Sequence, residues 1–459
     1  MAATIANNHD AANAKPLLLM TAFPGEGHTN PLLNVAAHLV RVGYDIVFMA
    51  PSIFQQKVEQ TGAEYLYIDN PITESVLQAF HDASYLPQGP ERLAGQYKAI
   101  FLEMQPVRTQ NTENALVMLQ ARDPSRQIMF MEGVFNSSLW AFRHGRPLPK
   151  GLNVLPKSIG FGVAPVLVES QDTGPISLGL FPDSTESGRQ RNKILYDLVE
   201  KGPMKLLADG WRETLKKCGC TNIPNDTMFR SCYTAHDFAL QLCSPSLDYT
   251  LSDLPPSLEF VGVLPRRPVT SDFQYPSWWP EVEKRHEYNY RHVLFVSQGT
   301  LNPVWTDLII PTLQAFARKP DVLVIATLGA RGQHLPQEVT IPPNARVVDY
   351  LPYDTILEYS DVFISNAGYG TLTHAVGNGV PVLLAGENEE KLEVTMRAIY
   401  AGVGLSLGTQ TPTAEQVRKG VEQILQDNSY RKTAMKLKIE NDGMNALATI
   451  EAKVKDLTH

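Results

Sequence analysis

The sequence contains no run of about twenty consecutive apolar residues, which is the length that a membrane-spanning helix needs. Residues 1–15 are rich in alanine and asparagine and lack the apolar core of a secretory signal peptide. These two absences argue against a membrane span and a typical leader, and they predict a cytoplasmic protein.

An excess of basic residues is also missing. The formal net charge at pH 7 is −8, whereas a nucleic-acid partner would favour a basic face. We therefore expect small molecules as ligands, and the sequence leaves the oligomeric state open.

Cysteines are scarce, but the four that occur fall within one region, at Cys218, Cys220, Cys232 and Cys243. Zinc binding is one reading of such a group. Their spacing contains no paired C-x-x-C pattern, so we interpret them as reduced, partly buried thiols without an assigned role. Elsewhere, no set of His, Cys and carboxylate residues at metal-ligand spacing accompanies the candidate turns described below.

What is present is a regular alternation of apolar strand patterns with helical patterns along 459 residues, too long for one ordinary core. This alternation predicts an α/β fold with two doubly wound, Rossmann-like parallel sheets. The predicted strands are Leu17–Met20, Tyr44–Met49, Tyr65–Ile68, Gln127–Met131, Leu155–Gly160, Phe238–Leu242, Leu258–Val263, His292–Ser297, Val322–Thr327, Arg346–Asp349, Asp361–Ser365 and Pro381–Ala385.

A stretch rich in proline and tryptophan interrupts the alternation and marks the best domain boundary. The pattern predicts a disordered tail over 1–15, a first domain over 16–265, a linker over 266–290 and a second domain over 291–459. The last helix can pack back on the first domain. In the second domain, Thr413 and Gln416 form a plausible capping box for a helix over Ala414–Gln426.

One candidate site is the turn after the predicted strand Asp361–Ser365. Here Ser365–Thr373 contains two glycines and opens a helix. Unpaired backbone N–H groups and the positive end of a helix dipole at such a turn suit a diphosphate. The alternative is a close strand-to-helix crossing with no ligand.

The second candidate site follows the first strand, where Phe23–Pro31 leads into a helix that we expect to begin at Pro31. Thr29 or Asn30 would cap that helix, and His28 would lie at the carboxyl end of the strand. Ligands of open α/β sheets bind at the carboxyl ends of strands. If the two sheets face each other, both turns therefore meet in one cleft.

With these residues in view, the chain resembles the GT-B nucleotide-sugar glycosyltransferases, which include plant and animal UDP-glycosyltransferases and bacterial macrolide glycosyltransferases. The resemblance runs from the Gly-x-Gly-His-x-Asn-Pro signature at Gly25–Pro31 to Gly402–Leu405. It implies that His28 takes the proton of an acceptor hydroxyl, a role that suits a neutral imidazole. A helix-capping histidine is the structural alternative.

The resemblance also implies an acidic residue that orients the histidine. In the family an Asp at the end of a later strand does this, and here the matching strand ends at Glu132. A carboxylate at the other imidazole nitrogen would fix the tautomer and stabilise the cation. Simple surface exposure of Glu132 is the alternative.

On the donor side, the resemblance implies that glycines and a hydroxyl hold the diphosphate, that Tyr350 stacks on the base, and that polar groups hold the ribose and sugar. The implied donor-binding residues are Gly27, Gly299, Thr300, Tyr350, Leu351, Asn366, Gly368, Gly370, Thr371, His374, Glu390 and Lys391. Three of them depart from the family pattern: Asn366 replaces a His, His374 replaces a Glu, and Lys391 replaces a Gln.

The resemblance implies an inverting, metal-independent enzyme without a cofactor, because positive helix ends can stabilise a leaving diphosphate. The expected reaction moves a hexose, most simply glucose from UDP-glucose, to a hydroxyl of a small lipophilic or phenolic acceptor. Residues that could line the acceptor pocket are Met104, Phe135, Trp140, Phe142 and Phe161. Two alternatives stay open: a non-catalytic partner protein of the same fold, and a nucleotide-sugar epimerase or hydrolase.

Overall fold

A computed structural model of the chain describes residues 15–266, 269, 273–299, 302–386 and 390–458. The predicted donor residue Thr300 and the tail 1–14 lie outside the described residues. We call 15–266 the first half and 273–458 the second half.

In the first half, a parallel seven-stranded sheet has the order β3-β2-β1-β4-β5-β6-β7. The central strands are buried along their whole length, as expected for parallel strands covered by helices on both faces. The strands are β1 (Leu17–Thr21), β2 (Ile46–Ala50), β3 (Glu64–Tyr67), β4 (Ile128–Gly133), β5 (Lys157–Gly162), β6 (Phe238–Gln241) and β7 (Leu258–Phe260).

In the second half, a parallel six-stranded sheet has the order β10-β9-β8-β11-β12-β13. The predicted two-sheet α/β architecture is therefore confirmed, and one short edge strand, β13, was not predicted. The strands are β8 (His292–Ser297), β9 (Val322–Thr327), β10 (Ala345–Val348), β11 (Val362–Ser365), β12 (Val382–Leu384) and β13 (Gly404–Ser406).

Helices cover both sheets. Apolar residues of the described helices and strands form the core layers on the two faces of each sheet. The helices are α1 (Glu26–Arg41), α2 (Gln55–Glu59), α3 (Glu74–Ser84), α4 (Pro90–Tyr97), α5 (Gln105–Arg122), α6 (Trp140–Arg143), α7 (Glu186–Lys201), α8 (Lys205–Lys217), α9 (Met228–Thr234), α10 (Pro280–Glu283), α11 (Ile309–Phe316), α12 (Tyr353–Leu357), α13 (Tyr369–Asn378), α14 (Lys391–Tyr400), α15 (Ala414–Gln426), α16 (Asn428–Met444) and α17 (Ala446–Asp456).

Two predictions about helix starts had opposite outcomes. The capping box of α15 is confirmed, because the Thr413 and Gln416 side chains each accept from the other's backbone N–H. The predicted start of α1 at Pro31 is wrong, because the helix begins at Glu26. The main-chain carbonyl of Gly25 already accepts from the N–H groups of His28 and Thr29, so the helix forms one turn earlier.

The two halves are in contact through buried side chains. Ile450 and Val454 of α17 lie in the apolar core next to α1 and the first sheet. Lys453 of the same helix donates to Glu259 of the first half at 2.7 Å. In the part of the chain that the structure describes, no helix combines the length and the apolarity of a membrane span.

Candidate active site

Each sheet has one place where the strand order reverses direction. In the first sheet this point lies between β1 and β4, and in the second between β8 and β11. A crevice opens beyond the carboxyl ends of strands at such a switch point, and ligands of open α/β sheets bind there. His28 follows β1, Glu132 ends β4, Gly299 follows β8 and Asn366 follows β11, so all four predicted residues belong to switch points.

A buried hydrogen bond shows that the two carboxyl edges face each other. The Gln241 side chain at the end of β6 donates to the Tyr369 hydroxyl at 2.8 Å and to the Ala164 carbonyl at 2.8 Å. Tyr369 is the first residue of α13, and both side chains are almost fully buried. Burial raises the pKa of the Tyr369 hydroxyl well above its usual value, so it stays protonated.

His28 lies in the first turn of α1, beside the exposed residue Gly27. Its ring packs against Phe23 with the ring centroids 5.0 Å apart. Burial first, and then the positive charge of Arg108, lower the pKa of the imidazole to about 4. The histidine is therefore neutral at pH 7 and has a free lone pair to accept a proton.

Among the described residues, Glu132 makes no hydrogen bond or ion pair with His28, so the predicted contact between the two is not formed in this structure. Its Oε2 accepts from the Asn136 side chain at 3.0 Å and from the Ser138 N–H at 3.0 Å. Its Oε1 has no hydrogen-bond partner and lies 3.6 Å from Nε2 of His236. The carboxyl is fully buried, and the turn after β4 supplies hydrogen-bond donors to Oε2 only. Burial raises the pKa of Glu132 to about 7.

Sequence reasoning missed Arg108, a charged residue that acts on His28. It lies on α5, is 4% exposed, and places its guanidinium 5.4 Å from the centroid of the Phe23 ring. It donates to the main-chain carbonyls of Ile100, Phe101 and Asn136. Burial lowers the pKa of the guanidinium to about 10, so it remains charged at neutral pH.

The turns after β8 and β11 are joined to each other. The Asn366 side chain donates to the Gln298 carbonyl at 2.6 Å, which uses one of its two N–H groups. Gly299 has φ +70, a left-handed conformation that glycine adopts without strain. Gln298 itself is a helix cap, because its Oε1 accepts from the N–H groups of Leu308 and Ile309 at the start of α11.

The start of α13 presents unpaired backbone donors. No side chain caps this helix, and the first helical hydrogen bond to Gly368 comes from Leu372. The N–H groups of Tyr369, Gly370 and Thr371 therefore have no helical partner. The Thr371 hydroxyl is held within the turn by Ser365 at 2.8 Å and by the Gly368 carbonyl. The hydroxyl is therefore occupied, and the backbone N–H of Thr371 is the group left to bind a phosphate at the predicted turn.

Tyr350 and Leu351 follow β10. The Tyr350 ring is 41% exposed, and the Arg331 guanidinium lies 4.9 Å from its centroid. An exposed aromatic face of this kind can stack on a base. Leu351 is buried in the core of the second half, so that only its backbone could contact a ligand.

The remaining predicted donor residues lie around α13 and α14. Nδ1 of His374 is 2.8 Å from Asp354, which leaves the other ring nitrogen for a ligand. Glu390 and Lys391 begin α14. Gly386 permits a close approach here, since a Cβ at this position would lie 2.1 Å from the Asn366 carbonyl oxygen and 3.1 Å from Cδ of Lys391. The stem of Lys391 therefore lies near the Asn366 turn.

An aromatic cluster lies next to His28 in the first half. Phe23 contacts Phe101, and Phe101 contacts Phe135 and Tyr97, with ring centroids 5.1 to 6.0 Å apart. Of the predicted acceptor residues, Phe135 and Trp140 belong to this core. Phe142 and Phe161 belong to two other cores that cover the sheet faces, so their assignment to one pocket is wrong.

Neither the cysteines nor the acidic residues form a metal site among the residues described. The four cysteine thiols are free, and three of them are buried. No group of three or more His, Cys, Asp and Glu side chains in the described ranges is arranged to hold a metal ion.

Comparison with known proteins agrees with this geometry. The chain is 33% identical over 457 residues to UDP-glucosyltransferase 1 of Beauveria bassiana, covering 98% of this chain and 96% of the relative. The chain belongs to the GT-B UDP-glycosyltransferases. It is also 31% identical to UDP-glucosyltransferase B1 of Starmerella bombicola, covering 96% of this chain and 99% of that protein. Residues 312–456 match the family "Erythromycin biosynthesis protein CIII-like, C-terminal domain".

Solved structures share the fold of this UDP-glycosyltransferase. The glycotransferase of kitacinnamycin aligns with a TM-score of 0.65 at 18% identity, covering 96% of this chain and 99% of that one. The calicheamicin glycosyltransferase CalG4 aligns with a TM-score of 0.64 at 18% identity, over 96% and 98% of the two chains. As a UDP-glycosyltransferase, the enzyme transfers a glycosyl group from a UDP-sugar.

Sequence reasoning missed the buried polar residues that organise the active site of this UDP-glycosyltransferase. Arg108 lies in a long helix with no local signal, and Gln241 ends a strand like many others. Tyr369 lies within the predicted turn, but its hydroxyl partner is 128 residues away in sequence.

Proposed function

We propose that the enzyme moves glucose from UDP-glucose, with inversion and without a metal ion, to a hydroxyl of a small lipophilic or phenolic acceptor. The observation that carries this proposal is a neutral, unpaired His28 imidazole at the switch point of the first sheet. A hydrogen bond that joins Gln241 of the first sheet to Tyr369 at the start of α13, the proposed donor side, also supports the proposal. The glucose assignment is supported by the names of the glucosyltransferase relatives.

In the proposed reaction, the acceptor O–H proton passes to the His28 imidazole. The acceptor oxygen attacks the anomeric carbon from the face opposite the diphosphate. The bond between that carbon and the diphosphate oxygen breaks, and UDP leaves with the electron pair. Attack from the opposite face inverts the configuration of the sugar.

The leaving diphosphate would be stabilised by the donors that the chain itself supplies. These are the unpaired N–H groups at the start of α13, the positive end of its dipole and the Lys391 side chain, whose Cδ approaches Gly386 beside the Asn366 turn. Gly27, Gly299, Gly368 and Gly370 would keep the backbone open beside the donor. Tyr350 would stack on the uracil and His374 would bond a ribose hydroxyl, while Glu390 would accept from sugar hydroxyls.

The aromatic cluster around Phe23 would hold the acceptor. Its rings lie next to His28, and flat, apolar surfaces of this kind suit an aromatic or polyketide-like aglycone. This placement would leave the acceptor hydroxyl beside the imidazole and the rest of the molecule among aromatic rings.

The test is the substitution His28→Ala, with His286→Ala as control. His286 is an exposed residue on the segment after α10. We expect His28→Ala to lower kcat by about 10² to 10⁴ with a phenolic acceptor, because the reaction loses its general base. UDP binding, measured by calorimetry, should be unchanged, and His286→Ala should behave like the wild type. Full transfer activity of the His28→Ala enzyme would refute the assignment.

The stereochemical part has its own test. Proton NMR of the product formed from UDP-α-glucose should show a β-glycoside, and an α-glycoside would contradict inversion. A panel of UDP- and dTDP-sugars, read by product mass, should give the highest kcat/KM with UDP-glucose. Activity that persists after treatment with EDTA would support the metal-independent mechanism, and loss that added metal restores would contradict it.

A further inference from the structure

A buried positive charge and the proposed base share one neighbour, the ring of Phe23. The His28 ring and the Arg108 guanidinium both pack against Phe23, at 5.0 Å and 5.4 Å from the phenyl centroid. Arg108 is only 4% exposed, and its Nε has no hydrogen-bond partner. A charge held this way is costly, because burial removes its hydration and its donors are incompletely matched.

The contacts of Arg108 keep this charge in place. Its terminal nitrogens donate to the carbonyls of Ile100 at 3.1 Å and of Phe101 and Asn136 at 3.4 Å. These are neutral acceptors, so they fix the guanidinium without neutralising it. The Glu132 carboxyl acts on the Arg108 charge, but it is bound by Asn136 and Ser138 and makes no ion pair with Arg108 among the described residues.

We propose that Arg108 is a positioning residue of the active site, holding its charge behind the His28 imidazole so that the enzyme favours acceptors with acidic hydroxyls, such as phenols, over aliphatic alcohols. This inference rests on the proposed role of His28 as the base. Beyond that role, it assigns to Arg108 an influence on which class of acceptor the enzyme prefers.

The charge acts on both partners of the proton transfer. The acceptor proton moves to His28, the acceptor oxygen bonds to the anomeric carbon, and UDP departs. A nearby cation opposes formation of the imidazolium, which makes His28 a weaker base, and it stabilises the negative charge that develops on the acceptor oxygen. An acidic hydroxyl needs only a weak base and gains most from that stabilisation.

Other charged groups around His28 are engaged elsewhere. On its own helix, Glu26 pairs with Lys57 at 2.5 Å. On α5, Arg108 is the residue that acts on the imidazole. Burial and this charge lower the pKa of His28 to about 4. From β4, Glu132 lies in the same buried region, and burial raises its pKa to about 7.

The first experiment measures kcat/KM against pH for a phenolic acceptor in wild type, Arg108→Gln and Arg108→Lys. The matched control is Arg146→Gln, since Arg146 also lies over a phenylalanine ring of the first half, at 5.9 Å from Phe142, and donates to a main-chain carbonyl. In the wild type we expect kcat/KM to be independent of pH down to about pH 5, because it falls only where His28 of the free enzyme becomes protonated. Arg108→Gln should move this acid limb of the profile up by about one pH unit. Arg108→Lys and Arg146→Gln should leave it in place.

The second experiment compares a phenol and a benzyl alcohol that carry the same para substituent. Wild type should favour the phenol by about tenfold or more in kcat/KM, and Arg108→Gln should lower this ratio. The wild-type measurements need no variant to fold. A wild-type acid limb near the ordinary histidine value, an unchanged limb in Arg108→Gln, or a preference for the alcohol would overturn the inference.

The two proposals fail in different ways. If His28→Ala keeps its activity, the base assignment is wrong and the inference falls with it. If His28→Ala is inactive but Arg108→Gln has the wild-type pH limb and acceptor ratio, the base assignment stands and only the role of Arg108 is rejected.

Discussion

The carboxyl of Glu132 shares a fully buried environment with the imidazole of His236, whose Nε2 is 3.6 Å away. Burial raises the pKa of Glu132 to about 7, and burial together with Arg143 lowers the pKa of His236 to about 3. At pH 7 the Glu132 carboxyl is therefore about half protonated, and His236 is neutral. In either form the carboxyl accepts from Asn136 and Ser138 and supports the turn after β4, and among the described residues it makes no hydrogen bond or ion pair with His28.

Substituting Glu132→Gln should therefore preserve most of the activity. We expect kcat to fall by less than about tenfold, far less than for His28→Ala, because no contact to the base is lost. The amide oxygen can still accept from Asn136 and Ser138. Steady-state kinetics of the two variants side by side would test this, and equal losses would show that the carboxyl does assist His28.

The same variant makes a prediction about stability and pH. In the unfolded chain Glu132 loses its proton near its ordinary pKa of about 4.3, whereas the folded protein keeps it until about pH 7. The wild type therefore loses stability as pH rises through this window, and Glu132→Gln does not. In thermal unfolding from pH 5 to pH 8, the stability of Glu132→Gln relative to the wild type should increase with pH up to about pH 7 and then stay constant. A constant difference across that range would contradict the raised pKa.

Tyr350 gives a residue-scale prediction for the donor. If its exposed ring stacks on the uracil, Tyr350→Ala should weaken UDP binding by about 1–3 kcal/mol, while Tyr350→Phe should keep the stacking and the affinity. Calorimetric titration with UDP measures both. Equal affinity of the Ala and Phe variants would mean that the base lies elsewhere.

At the scale of elements, the turn after β8 depends on the amide of Gln298. Its Nε2 donates to the carbonyls of Asn302 and Val304, and its Oε1 accepts from the first N–H groups at the start of α11. The residue is 1% exposed. One side chain thus closes the connection from β8 to α11 and satisfies helix donors that would otherwise be buried without a partner.

Replacing Gln298 by Leu should lower the free energy of unfolding by about 2–4 kcal/mol, because several buried donors and acceptors lose their partner at once. Gln298→Phe should not rescue the loss, because a phenyl ring has no polar atom that could replace the amide. As control, Gln55→Leu removes an exposed amide that contacts only Glu59 at 2.8 Å and should change stability by less than about 0.5 kcal/mol. Urea unfolding curves of the three variants would decide, and an equal cost at the two positions would count against the capping role.

These elements also show which features a sequence can predict. The strands and the capping box of Thr413 and Gln416 depend on patterns only a few residues long, and they were predicted. The cap by Gln298 reaches ten and eleven residues ahead, and its form depends on how the intervening loop folds. No local pattern therefore indicated that Gln298 is a buried cap.

The active site divides in the same way. His28 and Asn366 were found because each lies in a local strand-to-helix turn. Glu132 was correctly predicted to lie near the end of β4. The expected contact with His28 did not form, because the position of a residue on a strand does not determine which groups its side chain contacts. Arg108 could not be found, because its role depends on α5 packing over Phe23.

At the scale of the whole molecule, the donor and acceptor sides are held together by buried polar contacts. Besides the hydrogen bond between Gln241 and Tyr369, Arg397 of α14 donates to Asp248 of the first half at 2.6 Å and to the Val166 carbonyl. Its guanidinium also lies 4.3 Å from the centroid of the Tyr249 ring. Both of these contacts between the halves are therefore made by almost fully buried side chains.

The ion pair of Arg397 and Asp248 should be the strongest single polar link between the halves. The two side chains are 3% and 2% exposed. Burial alone would lower the pKa of the Arg397 guanidinium, but the carboxylates of Asp248 and Glu393 raise it above its ordinary value. Arg397→Met would leave Asp248 buried without its counterion, and we expect a loss of about 3–5 kcal/mol.

Arg418→Met is the matched control for this change. Arg418 on α15 bonds Glu415 and Glu422 at 2.6 Å and 2.8 Å, but these pairs are partly exposed, so Arg418→Met should lower the free energy of unfolding far less than Arg397→Met. Urea unfolding gives the two stabilities. Hydrogen exchange should show faster exchange in Arg397→Met both in α14 and in residues 244–249, because the contact that joins the halves is broken. Faster exchange in α14 alone would mean that Arg397 stabilises its own helix and not the contact between the halves.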